Sequence, residues 1–201
     1  MSFDFFASYQ SALTYEEFLE RFGTQHQVLA WSEQRSKVNL GREQVELLGA
    51  FRRKIHVLCM AGTWCGDCVQ QCPILDVFEK ASDAIEIRYV DRDADPQLKS
   101  ELTICGGSRV PQLVFLSETG DFVSHRGDRT LTRYRELVAG QLGESLPGSA
   151  DSNPEPGPQT GPGGEKVDPV LAGVVRDWLD EFERVQWILR LSPKLRELHG
   201  D

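Results

Sequence analysis

The chain has 201 residues, of which 40% are hydrophobic, and it carries a formal net charge of −9. This size and composition suffice for one buried core of ordinary domain size, so the fold does not need disulfides to hold it together. The negative charge argues against a nucleic-acid partner, because phosphate binding requires a basic face. No stretch approaches the roughly 18 apolar residues that would indicate a membrane span.

The beginning of the chain, MSFDFFASYQ, has neither the basic region nor the apolar run of a secretory signal. We therefore expect a cytoplasmic location, where thiols are kept reduced. The chain has five cysteines, and this odd number also argues against a framework of paired disulfides.

Residues 1–53 are predicted to form a helical N-terminal extension. Thr14 followed by Glu17 fits a capping box and begins a helix that ends before Gly23. A second helix is predicted over residues 41–53. The sequence between the two helices does not indicate one type of secondary structure clearly. The apolar side chains expected to face the core are Tyr15, Phe18, Leu19, Phe22, Val28, Leu29, Trp31, Val45, Leu48 and Phe51.

From Ile55 onward the pattern changes to alternating strands and helices. The apolar run IHVLCM predicts a buried strand, residues 66–80 a helix, and the alternation in IEIRYVD a second strand. QLVFL predicts a third buried strand and DFVSHRG an edge strand, before a helix that ends at Gly143. This order predicts an α/β fold over residues 54–142, with a central mixed β-sheet flanked by helices.

The last part of the chain combines a linker and a helix. Residues 143–169 hold six of the ten prolines and almost no apolar side chains, which predicts a Pro/Gly-rich linker. Residues 170–201 are predicted to form an amphipathic helix, with Asp168 as its cap and Pro169 at its first position. Its apolar seam must pack against the N-terminal helices of the same chain or against a second copy, so a homodimer through this helix stays open. The seam consists of Leu171, Val175, Trp178, Phe182, Val185 and Leu189.

Three of the cysteines lie within the segment MAGTWCGDCVQQCP. A structural zinc site usually has four Cys or His ligands in two pairs, and only one Cys-x-x-Cys occurs here. The spacing also resembles part of a ferredoxin cluster motif, but Gly62 stands where its first cysteine would be. We therefore expect no metal. Cys59 and Cys72 are interpreted as buried thiols, and Cys105 as either a bystander or a secondary redox site.

The remaining pair, Cys65 and Cys68, follows a predicted strand and opens a predicted helix. Unpaired N–H groups and the helix dipole stabilise an anion at a helix N-terminus, which predicts a lowered pKa for the Cys65 thiol. Cys65 is therefore the expected nucleophile. Cys68 lies two residues further on and should be less exposed, so it is expected to resolve a mixed disulfide.

The stretch WCGDC, followed by Pro73, resembles the active site of the thioredoxin family. The resemblance continues through VDRDADP and GGSRVPQLVFL to Gly127, and it covers roughly residues 54–142. It implies a thioredoxin-like fold, thiol–disulfide oxidoreductase activity without a metal or organic cofactor, and a cis peptide bond beside the disulfide. The residues implied in substrate binding are Trp64, Gly66, Asp67, Gly107, Val110, Pro111 and Gly127, with the cis bond between Val110 and Pro111.

Two positions depart from the family pattern. Asp67 replaces the common proline between the cysteines, and its charge disfavours a neighbouring thiolate, which predicts a reductant rather than an oxidant. Asp67 is equally well explained as a carboxylate that favours the helix N-terminus. Cys59 stands where many thioredoxins have a buried carboxylate that assists proton transfer at the resolving cysteine, so another group must move that proton.

The predicted function is therefore the reduction of disulfides in substrate proteins, with recycling by a reductase or a small thiol. Two other classes remain as alternatives. The chain could be a non-catalytic adaptor whose helical extensions cover the groove, or a redox sensor that signals through its C-terminal helix.

Overall fold

A four-stranded mixed sheet forms the centre of the computed structural model, which describes residues 3–143 and 168–201. Strand β1 pairs in parallel with β2 and antiparallel with β3, and β4 pairs antiparallel with β3, so the order is β2-β1-β3-β4. The predicted α/β class and the predicted edge strand are confirmed. The strands are β1 (Ile55–Ala61), β2 (Ile85–Asp91), β3 (Gln112–Ser117) and β4 (Phe122–Gly127).

Helices account for most of the remaining described residues, and none of them is long and apolar enough to cross a membrane. Nearly all of the predicted linker, residues 143–169, lies outside the described residues. The helices are α1 (Phe5–Ser11), α2 (Tyr15–Phe22), α3 (Gln25–Ser36), α4 (Arg42–Gly49), α5 (Gly66–Ala81), α6 (Pro96–Glu101), α7 (Leu131–Leu142), α8 (Pro169–Leu191) and α9 (Pro193–His199).

The N-terminal helices begin at side-chain caps. Thr14 and Glu17 form the predicted capping box of α2, and Thr24 with Gln27 forms a second one at α3. The helix predicted over residues 41–53 is shorter in the structure, where it corresponds to α4 and ends at Gly49. The reason lies in the following turn, where the side chain of Gln186 accepts the N–H groups of the next two arginines (Arg52, 3.1 Å; Arg53, 2.8 Å) in place of helical carbonyls.

An aromatic cluster joins the N-terminal helices to the sheet. The rings of Tyr15, Phe18 and Trp31 lie within 6 Å of one another or of Tyr89 on β2, and all are buried. The prediction that Leu29 finds a core is wrong, since 56% of it is exposed. Leu29 lies two positions before Trp31, and residues two apart point to different faces of a helix. Val28 and Val45 are also exposed in part, at 36% and 45%, although both were expected to face the core.

The chain divides into two compact units, Met1–Asp128 with Phe182–Asp201, and Arg129–Glu181. Within the first unit, the ring of Phe182 packs edge-on against Phe78 (5.6 Å between centroids) and Phe115 (5.1 Å). The C-terminal part of the predicted seam therefore packs in cis. The helix predicted over residues 170–201 is divided in two, because Pro193 lacks an N–H and Ser192 caps a new helix there.

The second unit contains α7 and the beginning of α8. The hydroxyl of Thr130 caps α7, and the carboxylate of Asp177 accepts the N–H of Thr132 at 2.8 Å. A Cβ at Gly173 would lie 2.6 Å from the Thr132 side chain, so a glycine allows this close approach. Helix α7 ends at Gly143 in the left-handed region (φ 64°), as predicted.

Candidate redox site

The two cysteines of the predicted pair lie where β1 leads into α5. Cys65 is the N-cap of α5 and has an extended backbone, while Cys68 follows within the first turn of the helix. The Cys65 side chain is half-buried, whereas Cys68 is fully buried. The predicted strand–turn–helix context is therefore present, and the more accessible sulfur is the one at the helix cap.

The N-terminal helices hold the turn that precedes Cys65. The indole N–H of Trp31 donates to the carbonyl oxygen of Thr63 at 3.1 Å, within the core. The Thr63 hydroxyl lies 3.0 Å from the carbonyl oxygen of Phe22 and 3.2 Å from Oε1 of Gln27. Sequence analysis did not identify these contacts, because a buried threonine in a short turn gives no pattern. Helices α2 and α3 thus fix the segment that presents the cysteines.

Trp64 lies beside the cysteines and is half exposed, at 50%. A Cβ on Gly62 would lie 2.8 Å from the indole ring, so the glycine allows the ring to lie over the backbone. The guanidinium of Arg92 lies over the Trp64 ring, 4.4 Å from the ring centroid. This cation–π contact orients an exposed aromatic side chain at the rim of the site.

The peptide bond between Val110 and Pro111 is cis, as the family resemblance implies. The Cys65 thiol lies 3.4 Å from the Val110 carbonyl oxygen, within hydrogen-bond distance for sulfur. Gly127 lies against this element, because a Cβ there would be 3.0 Å from the Pro111 carbonyl oxygen. The fold therefore brings Cys65, Val110, Pro111 and Gly127 together.

The family resemblance also implies Gly107, Gly66 and Asp67 in substrate binding. Gly107 exchanges backbone hydrogen bonds with Ile104 (2.9 and 3.0 Å) and lies next to the side chain of Arg109. Gly66 is exposed at the first position of α5, and Asp67 follows it with its carbonyl accepting from Gln71. Gly66 and Asp67 lie between the two cysteines in sequence, whereas the atoms nearest to a Cβ at Gly107 belong to Ile104 and Arg109.

The pKa of the Cys65 thiol is raised, which corrects the expectation that the helix N-terminus lowers it. Its hydrogen bond with Cys68 is the largest cause, and burial adds to it. The N–H groups of Asp67 and Cys68 at the helix N-terminus act in the expected direction but are outweighed. Sequence reasoning considered the helix terminus without the second sulfur, which competes for the same negative charge.

The pKa of Cys68 shifts the other way. Burial raises it, but hydrogen bonds from Cys65, Cys72 and the Gly62 N–H together lower the pKa of the Cys68 thiol to about 5. The Gly62 nitrogen lies 3.4 Å from the Cys68 sulfur. Two thiols that share a hydrogen bond lose their protons in two steps that belong to the pair rather than to either sulfur alone.

The other cysteines lie in different surroundings, and all five are free thiols. Cys59 and Cys72 are fully buried, and Cys105 is exposed in a turn with a left-handed backbone (φ 51°). In residues 3–143 and 168–201, no group of three or more His, Cys, Asp or Glu side chains is arranged to hold a metal ion.

Comparison with known proteins agrees with this geometry. A thioredoxin family model matches residues 12–138, which is more than half of the chain. The chain therefore belongs to the thioredoxin family. The match begins in the N-terminal helices, before the residues 54–142 that carry the resemblance in the sequence.

Solved structures share the fold at low sequence identity. A crystal structure of an HIV epitope-scaffold matches with a TM-score of 0.60 and 18% identity, covering 70% of this chain and 89% of that one. A crystal structure of a protein of unknown function from Pseudomonas aeruginosa matches with a TM-score of 0.59 and 15% identity, covering 90% of this chain and 99% of that one. No curated protein gives a significant match.

Proposed function

We propose that the chain is a thiol–disulfide oxidoreductase that reduces disulfides of substrate proteins through Cys65 and Cys68. One observation carries the proposal above the others. The half-buried Cys65 sulfur lies 3.4 Å from the carbonyl of the cis Val110–Pro111 element, and the buried Cys68 follows it in the first turn of α5. A nucleophile, a resolving thiol and a backbone edge for the substrate thus occupy one site.

The reaction proceeds in two exchange steps. From a pair that has lost one proton, the remaining proton stays on Cys68 while the Cys65 sulfur attacks a substrate disulfide, and one substrate sulfur leaves as a thiolate. Cys68 then gives that proton to the departing thiolate and attacks the Cys65 sulfur. The second substrate sulfur leaves and is protonated by solvent. The products are a Cys65–Cys68 disulfide and two substrate thiols, so protons and electrons balance without a metal or cofactor.

The proposed substrate groove lies around the cis element. The Val110 carbonyl offers a β-like edge to an extended peptide next to Cys65, and Gly127 leaves room at Pro111. The half-exposed Trp64, which directly precedes Cys65, is proposed as the apolar rim of the groove. Gly66, Asp67 and Gly107 are proposed as outer members of the same groove.

The charge of Asp67 supports a reducing role. It acts against the hydrogen bonds that lower the pKa of the neighbouring Cys68, and so disfavours the thiolate-bearing reduced form relative to what those hydrogen bonds alone would give. Such a reductant suits the cytoplasm, which we propose as its location, and a reductase or small thiol would recycle it. We propose neither a nucleic-acid nor a membrane partner, and self-association through the C-terminal helix remains a secondary proposal.

The test is turnover of a disulfide-containing protein such as insulin, with dithiothreitol as the recycling thiol. We expect the full chain to accelerate the reduction, and Cys65→Ser and Cys68→Ser to return the rate to background. Cys105→Ser is the matched control, since it removes an exposed thiol outside the pair and should leave the rate unchanged. Cys68→Ser should also accumulate a mixed disulfide through Cys65.

The same experiment separates the alternatives. A wild-type chain that binds the disulfide protein without reducing it would contradict the proposal and favour an adaptor. A chain that forms its own disulfide but turns over no substrate would favour a redox sensor. In that case limited proteolysis should detect a change near the C-terminal helix on oxidation.

A further inference from the structure

The loop between α6 and β3, residues 102–111, leads into the proposed substrate groove, and a buried glutamine follows it directly. Gln112 is the first residue of β3 and is 0% exposed. Its side-chain Nε2 donates to the carbonyl oxygen of Leu102 at 2.6 Å and to that of Arg109 at 2.7 Å. A single amide nitrogen therefore joins the beginning of this loop to its end.

Both acceptors are backbone carbonyls that lie outside the helices and strands. Leu102 is the C-cap of α6, and the last carbonyls of a helix have no partner within it. Arg109 is followed two residues later by Pro111, which has no N–H to donate. The Arg109 side chain pairs with Asp128 at 3.4 Å, but this ion pair does not satisfy the carbonyl. Gln112 supplies a donor to each carbonyl from one side chain.

His125 on β4 determines how the Gln112 amide is oriented. The Nε2 atom of His125 lies 2.8 Å from the Gln112 Oε1 atom. The amide nitrogen must face the two loop carbonyls, because an oxygen in its place would meet two other acceptors. Since Oε1 can only accept, the Nε2 atom of His125 must carry the proton. The three contacts therefore use both N–H groups and the oxygen of one glutamine.

The pairing of β3 with β4 explains why these two side chains meet. Gln112 lies opposite Gly127, and His125 lies two residues before Gly127 on the same face of the sheet. A Cβ on Gly127 would lie 2.7 Å from Cγ of Gln112. The glycine therefore leaves the space that the glutamine side chain occupies.

We propose that Gln112 is a positioning residue that closes this loop and holds the Val110 carbonyl beside Cys65. His125 keeps the Gln112 amide in the orientation that this requires. The Cys65 sulfur and the Val110 carbonyl oxygen are 3.4 Å apart. The carbonyl at the end of the loop that Gln112 binds belongs to Arg109, the residue before Val110. The effect on substrate reduction rests on the proposed function, whereas the closure of the loop does not.

The first test is limited proteolysis of the full-length chain with trypsin, which cleaves after arginine and lysine. Arg109 is exposed, and Gln112 binds the carbonyl of the peptide bond that would be cut. Gln112→Met keeps the length of the side chain but has no donor, so the loop should open more often. We expect cleavage after Arg109, identified by mass spectrometry, to be about tenfold faster than in wild type.

Gln186→Met is the matched control. Gln186 is also buried and forms three hydrogen bonds with the backbone of Arg52 and Arg53. These arginines precede β1, whereas the redox pair follows its other end. Gln186→Met should lower the stability of the chain without faster cleavage after Arg109. Equal acceleration in both variants would overturn the inference, as would equal cleavage in Gln112→Met and wild type.

The second test measures the reduction of insulin with dithiothreitol as the recycling thiol. Gln112→Met should lower kcat/KM for insulin about three- to tenfold, because the edge that binds the substrate is no longer held. The rate at which dithiothreitol reduces the Cys65–Cys68 disulfide should stay near that of wild type, since a small thiol does not need this edge. Gln186→Met should change neither rate. An equal fall in both rates of Gln112→Met would indicate a damaged redox pair and overturn the inference.

Substitution of His125 tests the orientation of the amide and applies even if Gln112→Met does not fold. His125→Phe removes the Nε2 donor and should accelerate cleavage after Arg109, by less than Gln112→Met. His125→Gln offers another N–H and should return the rate toward wild type. An unchanged rate in His125→Phe, or an equal rise in His125→Gln, would overturn the role of His125.

The two tests separate this inference from the proposed function. A chain that shows the expected cleavage rates without reducing insulin would contradict the proposed function alone. An active chain in which Gln112→Met is cleaved no faster than wild type would contradict this inference alone.

Discussion

Cys65 and Cys68 lie three residues apart on one helical turn, yet their surroundings are opposite. Cys65 is half-buried, with its sulfur against the Val110 carbonyl at the edge of the site. Cys68 is fully buried, and the Gly62 N–H donates to its sulfur at 3.4 Å. The same hydrogen bond raises the pKa of the first and lowers that of the second.

This difference separates two properties that a redox cysteine needs. Access to a substrate is found at Cys65, whereas the lowered pKa is found at Cys68. Because the two sulfurs share a proton, the charge can pass to the accessible sulfur at the moment of attack. The division of roles therefore depends on burial of one sulfur and on the hydrogen bond between them.

The largest expected effect is the difference in labelling between exposed and enclosed thiols. In the reduced, folded chain, iodoacetamide should modify Cys65 and Cys105 at least about 100-fold faster than the buried thiols, which react only after local opening. Peptide mass spectrometry after timed quenching measures each site. Unfolding in denaturant should remove the difference, and equally fast labelling of Cys68 in the folded chain would refute the comparison.

The second prediction concerns the hydrogen bond within the pair. Cys68→Ala removes the largest cause of the raised Cys65 pKa, so the pH midpoint for alkylation of Cys65 should move to lower pH. The rate below the midpoint falls about tenfold per pH unit, because only the thiolate reacts. Cys72→Ala leaves the Cys65–Cys68 contact in place and serves as the control. An upward shift in Cys68→Ala would mean that Cys68 does not raise the pKa of Cys65.

The third prediction concerns the turn that holds Cys65. Thr63→Val removes the hydroxyl near the Phe22 carbonyl and Gln27, and it leaves a buried acceptor without that partner. We expect a loss of about 1–3 kcal/mol in the free energy of unfolding, measured by urea denaturation. The same change at Thr103, which is exposed, should alter stability by less than about 0.5 kcal/mol. Equal effects at both positions would contradict the anchoring role.

The smallest expected effect comes from the charge between the cysteines. Asp67→Asn removes a like charge that raises the Cys68 pKa, so the thiolate form is stabilised and the reduction potential becomes less negative. We expect a change of about 30 mV or less, determined by equilibration with a dithiol buffer. Asp83→Asn, at an exposed position beyond the other end of α5, should leave the potential unchanged. A shift to a more negative potential would reverse the role assigned to Asp67.

Much of the fold could be predicted because local patterns and the final packing agree. The alternation in IEIRYVD matches strand β2 over Ile85–Asp91, and the Thr14–Glu17 capping box begins α2 as expected. The predictions that failed concern segments whose structure is determined by contacts between residues far apart in the sequence. The side chain of Gln186 takes up backbone N–H groups that a longer α4 would have used, and no local pattern shows a partner so distant in sequence.

Some features of the redox site could likewise be predicted from the sequence, and others could not. The positions of Cys65 and Cys68 and the cis Val110–Pro111 bond follow from a motif, whereas the direction of the Cys65 pKa does not. That direction depends on the distance between two sulfurs and on burial, which are properties of packing. The contact between Arg92 and Trp64 also depends on residues that only the fold brings together.

The most direct test of the central claim is the reduction potential of the Cys65–Cys68 disulfide, measured by thiol trapping and mass spectrometry in a defined dithiol buffer. We expect a reversible disulfide between these two residues with a potential near or below about −250 mV, as for cytosolic reductants. A potential near about −180 mV or above would contradict the reducing role. Failure to form this disulfide at any buffer ratio would contradict the dithiol mechanism itself.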